Sequence, residues 1–196
     1  MGKTIQYTII TNKEYSFPNC INKLCVIQRK PQMERFELNK YAVDGSPLIM
    51  IFTEGTIFGP KRFIDFFNVK KYVPIKNCID KIKKWNRQGA QIIYLTSRKS
   101  ETSAQTIKDL LIRYKFVGAY LYYRTGSDKY KDIVESLKPD ILIEDNCRSI
   151  GGAWQMSITY VDKNIKENIK SIIIKEFKGI DYLPDNLIDL MKYEIK

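Results

Sequence analysis

From Pro47 onward the chain alternates short apolar runs with amphipathic stretches, and this repeat constrains the fold more than any other feature. LIMIF (48–52), QIIYLTSR (91–98), AYLYYR (119–124) and DILIEDN (140–146) read as strands that are apolar for most of their length. Between them, CIDKIKKWNRQG (78–89), SAQTIKDLLIRYKF (103–116) and YKDIVESLKP (130–139) carry apolar residues at helical spacing. A strand with no polar alternation must be covered on both faces, and helices of this length make crossovers between parallel neighbours. The expected fold is α/β: a Rossmann-like parallel sheet with helices on both faces, occupying residues 47–196. ITYV and SIIIKEF are further strand candidates with NIKENIK as a helix between them, and GIDYLPDNLIDLMKYEIK closes the chain as a helix started at Pro184-Asp185. Residues 1–46 read as a small β-rich extension built from KTIQYTII, KLCVIQRK and MERFELNKYAV.

Right-handed crossovers bring the C-terminal ends of parallel strands to one edge, where such folds bind ligands. That edge collects Phe52-Thr53-Glu54-Gly55, Thr96-Ser97-Arg98, Arg124 and Glu144-Asp145. As structure alone, these would be helix caps and turn formers. As a site, Glu54, Glu144 and Asp145 form a hard-oxygen set suited to Mg²⁺. Strand alternation sends Glu144 and Asp145 to opposite faces unless a turn begins at Asp145. Thr96 and the amides after it suit a phosphate oxygen, and Gly55 lets the chain leave its strand sharply. Lys131, with Lys129 as its rival, offers a fixed positive charge. Phe52 stands where a phosphoryl-transfer enzyme of this shape would carry an acidic nucleophile.

Histidine is absent, which removes Ser-His-Asp and Cys-His catalysis and any histidine base. Of the four cysteines only Cys20 and Cys25 lie close in sequence, so no zinc spacing is present. Reduced thiols and a cytoplasmic location are expected. No run approaches the ~18 apolar residues of a membrane span. The formal net charge is +11, and residues 57–88 hold nine Lys/Arg against two Asp. That excess suits nucleic acid or another polyanion, or serves as a solvated face. The same region begins with IFGPKRFIDFFNVKKYV (57–73), which reads as a minimal cap or flap. Its phenylalanines have the spacing of a short amphipathic helix packed on the core, or of a stacking platform beside cations.

In order and separation, IMIFTEGTI, IIYLTSR and YKDIVESLKPDILIEDN resemble the four motifs of the haloacid-dehalogenase-like (HAD) hydrolase superfamily. The resemblance spans residues 47–150 and extends to a group of HAD-like microbial proteins of unassigned activity that share TEGT, YLTSR and a stretch like Arg148-Ser149-Ile150-Gly151-Gly152. It implies Glu54 as acid/base, Lys131 as stabiliser, Thr96 with Ser97, Arg98 and Gly55 as the phosphate-binding groups, and Glu54, Glu144 and Asp145 around Mg²⁺. The first motif departs from the family: its nucleophilic Asp is replaced by Phe52, and its second Asp is lengthened to Glu54. Thr53 is a substitute nucleophile in type, but a regular strand points it away from the side of residue 52. Two readings follow. One is a Mg²⁺-dependent phosphate-ester hydrolase in which Glu54 activates water and no phosphoenzyme forms. The other is a catalytically degenerate module that binds a phosphorylated ligand, nucleic acid or a protein partner.

Overall fold

The structure is a computed structural model and describes residues 34–38, 45–126 and 128–194. Strands β2 (Leu48–Phe52), β5 (Gln91–Leu95), β6 (Tyr120–Tyr123), β7 (Ile141–Asp145) and β8 (Lys170–Ile174) lie parallel in one sheet, as the apolar runs require. β1 (Glu34–Glu37) joins this sheet antiparallel to β6, giving the order β1-β6-β5-β2-β7-β8. The sheet is therefore mixed, and one strand of the segment read as an extension is an integral edge of it. The strand candidates KTIQYTII and KLCVIQRK lie outside the described residues.

Side-chain alternation divides the core into two layers. Ile49 and Ile51 of β2, Ile92 and Tyr94 of β5, and Ile141 and Ile143 of β7 face α1 (Cys78–Arg87) and α2 (Glu101–Arg113). Leu187 and Leu190 of the final helix, α5 (Leu187–Lys192), pack into the same layer. Met50 and Phe52, Ile93 and Leu95, and Leu142 face the other way, onto Ile133 and Val134 of α3 (Tyr130–Leu137). α1 is amphipathic for the reason visible in its sequence: Cys78, Ile82 and Trp85 fall on one face and are fully buried. Trp85 anchors the closing segment by donating its indole N–H to the Pro184 carbonyl at 2.9 Å. α5 begins later than Pro184-Asp185 suggests, because Asn186 caps it by accepting from the amides of Ile188 and Asp189. No helix among the described residues is long and apolar enough to cross a membrane.

Two expectations fail locally. ITYV is not a strand: Ser157–Tyr160 forms a 3-10 turn that buries Ile158 against the second layer. The Glu144 carboxylate accepts the amides of Ser157 and Ile158, so these donors are satisfied by a side chain instead of a ladder. α4 (Lys163–Lys166) is a single turn capped by Asp162. In the flap, β3 (Phe58–Pro60) and β4 (Tyr72–Pro74) form a small antiparallel pair around two 3-10 turns, Phe63–Asp65 and Val69–Lys71. Asp65 accepts from Arg62 at 3.0 Å and pairs with Lys71 at 3.4 Å, which ties the two turns together. No amphipathic helix forms. Phe58 is buried and Phe66 meets Phe177, but Phe63 and Phe67 stand 91% and 94% exposed.

Candidate functional site

The C-terminal edge of the sheet holds a cavity of about 260 Å³. β2 delivers Phe52 to it, and the ring meets Tyr130 edge-on at 5.4 Å. The chain then turns: the Thr53 carbonyl accepts the amides of Ile57 and Phe58, and Gly55 adopts φ +79°. Asp145 occupies the space where a side chain on residue 55 would begin, since a Cβ there would lie 2.4 Å from its Oδ2. Gly55 is thus fixed by the approach of β7 as well as by its backbone conformation.

Glu54 is enclosed by donors. Its Oε1 lies 2.8 Å from Arg98 Nε, 2.6 Å from Ser97 Oγ and 2.9 Å from Thr96 Oγ1. Its Oε2 lies 2.5 Å from Thr53 Oγ1 and 3.2 Å from the Ser97 amide. Arg98 also donates through Nη2 to Ser97 Oγ at 2.7 Å. The structure therefore gathers Thr53, Glu54, Thr96, Ser97 and Arg98, but around a protein carboxylate. The groups expected to hold phosphate hold Glu54. Thr53 is fully buried and does not line the cavity, consistent with strand alternation turning it away from Phe52.

β7 separates the acidic pair. The strand remains regular through Asp145, which pairs with Ile174 of β8, so no turn brings the two side chains together. Asp145 lines the cavity and accepts the Cys147 amide at 2.7 Å. Burial pushes its carboxyl up to about 6; the Cys147 amide opposes the shift and the nearby Glu176 carboxylate adds to it. Glu144 points to the other layer, where burial raises its pKa and the amides of Ser157 and Ile158 oppose the rise. A Mg²⁺ site of Glu54, Glu144 and Asp145 is accordingly not assembled: Glu54 is committed to Arg98 and hydroxyls, and Glu144 to backbone amides. Among the described residues no cluster of three or more acidic, cysteine or histidine side chains can hold a metal ion.

Lys131 also departs from its expected place. It is absent from the cavity wall, and its Nζ sits 3.4 Å from Glu135 and 3.8 Å from Asp132 on its own helix. Lys129 likewise lies outside this cavity. The cations that line it are Arg98 and Arg124. Arg124 leaves the end of β6 and lays its guanidinium over the Tyr130 ring at 4.2 Å, with Nε buried and unpartnered. Tyr130 is held in turn by donating its hydroxyl to the Ser97 carbonyl at 3.0 Å. Sequence reasoning places Arg124 on the edge without a role and misses Tyr72, Tyr130, Glu176 and Phe177. Glu176 and Phe177 follow the apolar run of β8, so the polar-after-apolar signal used for the other strands applies to them too. The buried thiols offer no reactive thiolate: burial pushes Cys78 up to about 12 and raises Cys147, beside Asp145, as well.

No protein-family model matches the chain, and no curated protein does. Among solved structures, a chain of a Pnkp1/Rnl/Hen1 RNA repair complex aligns at 13% identity and TM-score 0.43, over 71% of this chain and 46% of that one. A second structure of a Pnkp1/Rnl/Hen1 complex gives 13% and 0.44, over 88% of this chain and 58% of the other. This chain thus spans about half the length of those two. D,D-heptose 1,7-bisphosphate phosphatase from Burkholderia Thailandensis aligns at 11% identity and TM-score 0.38, over 67% of this chain and 94% of the enzyme. Scores below 0.5 are too low to carry an activity across.

Proposed function

We propose that this chain is a HAD-like module that binds a phosphorylated small molecule at the C-terminal edge of its sheet without transferring the phosphoryl group. One observation carries the reading: the Glu54 carboxylate is closed into a cage of Arg98, Thr96, Ser97 and Thr53, beside a phenyl ring where a nucleophile would stand. A carboxylate with its lone pairs so engaged is a poor base for water, and Phe52 can accept no phosphoryl group. What the cavity retains is recognition. Phe52, Tyr72 and Tyr130 supply an aromatic wall, and charge comes from Arg124, which has no ion pair among the described residues, and from Arg98, which is paired with Glu54. Arginine suits the planar, paired hydrogen bonding of phosphate oxygens.

The test uses phenyl phosphate as probe. Calorimetric binding should be seen with the wild-type protein and lost in Arg98→Gln and Arg124→Gln. A phosphatase screen across metals should give no turnover above that of Glu54→Gln. A second reading has one support, a cavity-lining Asp145 whose carboxyl is pushed by burial up to about 6, a direction that suits proton transfer. Turnover that survives Glu54→Gln but disappears in Asp145→Asn would establish that hydrolytic reading in place of the first.

A further inference from the structure

A second cavity, of about 490 Å³, lies beside the first and shares Arg124 and Tyr130 with it. Its charge is one-sided. Arg124, Lys129 and Lys131 line it, and no Asp or Glu does. Lys131 spends part of its charge on Glu135 and Asp132, whereas Arg124 and Lys129 have no ion pair among the described residues. The Arg124 guanidinium lies flat over the Tyr130 ring, which fixes its position in the wall of this cavity.

The remainder of the wall is aromatic. Trp154 is 73% exposed and Tyr160 50% exposed, their ring centroids 6.5 Å apart with planes tilted by 43°. That tilt leaves the Trp154 face unstacked by its neighbour. The turn carrying Trp154, Gly152–Gln155, begins at Gly152 with φ +66° and follows Gly151 with φ +127°, so glycine's conformational freedom sets the path of the backbone that carries the indole. A large exposed ring facing a cavity is how proteins present a stacking surface. The volume lies within the ~300–1,000 Å³ typical of small-molecule sites.

We propose that this second cavity binds a nucleoside phosphate, with the base stacked on Trp154 and the phosphate held by Arg124 and Lys129. A bare phosphate would leave the aromatic wall unused, and a neutral aromatic would leave two cations unanswered. The site is distinct from the sheet-edge cavity, although Arg124 lies in the wall of both. The required chemistry, a ring joined to phosphate, exists in free nucleotides and at the 5′ end of a strand.

The two tryptophans make the experiment direct. Trp85 is fully buried and gives a constant background, so a change in emission reports Trp154. Titration with ADP should quench the wild-type protein, and calorimetry should register the same binding. Trp154→Ala and Lys129→Glu should each weaken the calorimetric affinity at least tenfold while circular dichroism shows the fold retained. Arg98→Gln should leave ADP binding intact while losing phenyl phosphate, which separates this site from the first. Adenosine without phosphate should bind more weakly than ADP. Parallel titrations with AMP and a 5′-phosphorylated octadeoxyadenylate assign the source: equal affinities support the free nucleotide, and a tenfold tighter strand supports the strand end. The proposal is overturned by no quench and no heat at millimolar ADP. It is equally overturned by binding indifferent to both Trp154→Ala and Lys129→Glu, or by binding lost in Arg98→Gln and kept in Trp154→Ala.

Discussion

In the proposed binding reading Glu54 sets the chemistry of the sheet edge, and its hydrogen-bond partners set Glu54. Its residue type and place are readable in TEGT, but nothing in the order of residues says that Thr96, Ser97 and Arg98 will spend their donors on a neighbour's carboxylate. The extra methylene that distinguishes Glu from Asp supplies reach toward them. That Phe52 stands where the resemblance would place a nucleophile is equally legible, whereas its packing against Tyr130 is set by the fold. Placing an acid there is therefore not expected to create an enzyme. Phe52→Asp should lose about 3 kcal/mol through the vacated packing and an unpaired buried carboxylate. It should show no phosphatase activity, since Lys131 lies outside the cavity wall and no cluster able to hold a metal ion forms among the described residues; denaturant melts and a phosphatase assay check both parts. Asp145 carries the opposite sign. Its carboxyl is raised from 3.8 to about 6, so between those values the folded chain holds more protons than the unfolded one. This contribution to stability is fullest below about pH 3.8 and is lost as pH rises to about 6. Asp145→Asn keeps an acceptor for the Cys147 amide and removes the buried charge. It should gain about 1–3 kcal/mol at pH 7, little below pH 4, and lessen the slope between in denaturant melts.

Elements were more legible than sites. The apolar runs at 48–52, 91–95, 120–123 and 141–145 form strands because no face of them tolerates water. The helices between them follow from spacing alone. ITYV misled because β-branched residues suit any buried surface, and the ladder partner a strand would need is replaced by the Glu144 carboxylate. The same event explains why the acidic pair does not act together: β7 stays extended to its last residue, and alternation gives each carboxylate a different layer. Glu144 is then a brace for the turn at Ser157–Tyr160. Glu144→Ala should cost about 2–3 kcal/mol, from two lost charge-assisted bonds and two stranded amides. Hydrogen exchange followed by NMR should show the Ser157 and Ile158 amides losing protection well before those of β2. The flap misled in another way. Phenylalanine spacing predicted burial, but Pro60 and Asp65 direct the chain into short turns, and Phe63 and Phe67 end in solvent.

At the scale of the molecule, most of the Lys and Arg side chains of residues 57–88 are exposed, although Lys81 is buried against Asp185, and a role for them in binding polyanions is an expectation that salt-dependent titration with nucleic acid can check. The pairing of β1 with β6 has a different consequence. By sequence pattern the α/β unit begins at Pro47, and a chain shortened to 47–196 would contain every helix and every parallel strand found among the described residues. It would also expose the outer hydrogen-bonding rim of β6, a strand of Tyr-Leu-Tyr-Tyr that now pairs with Glu34–Glu37 and stacks Tyr123 on Phe36. A bare rim of that kind recruits whatever extended peptide it meets, and in concentrated solution the most abundant candidate is another copy of itself. Light scattering should show the shortened chain self-associating as concentration rises, while a chain beginning at Pro31 stays at its starting size. The four residues Glu-Arg-Phe-Glu, which carry none of the recognised motifs, would then act as a chaperone in cis, keeping the tyrosine rim from solvent and from its own kind.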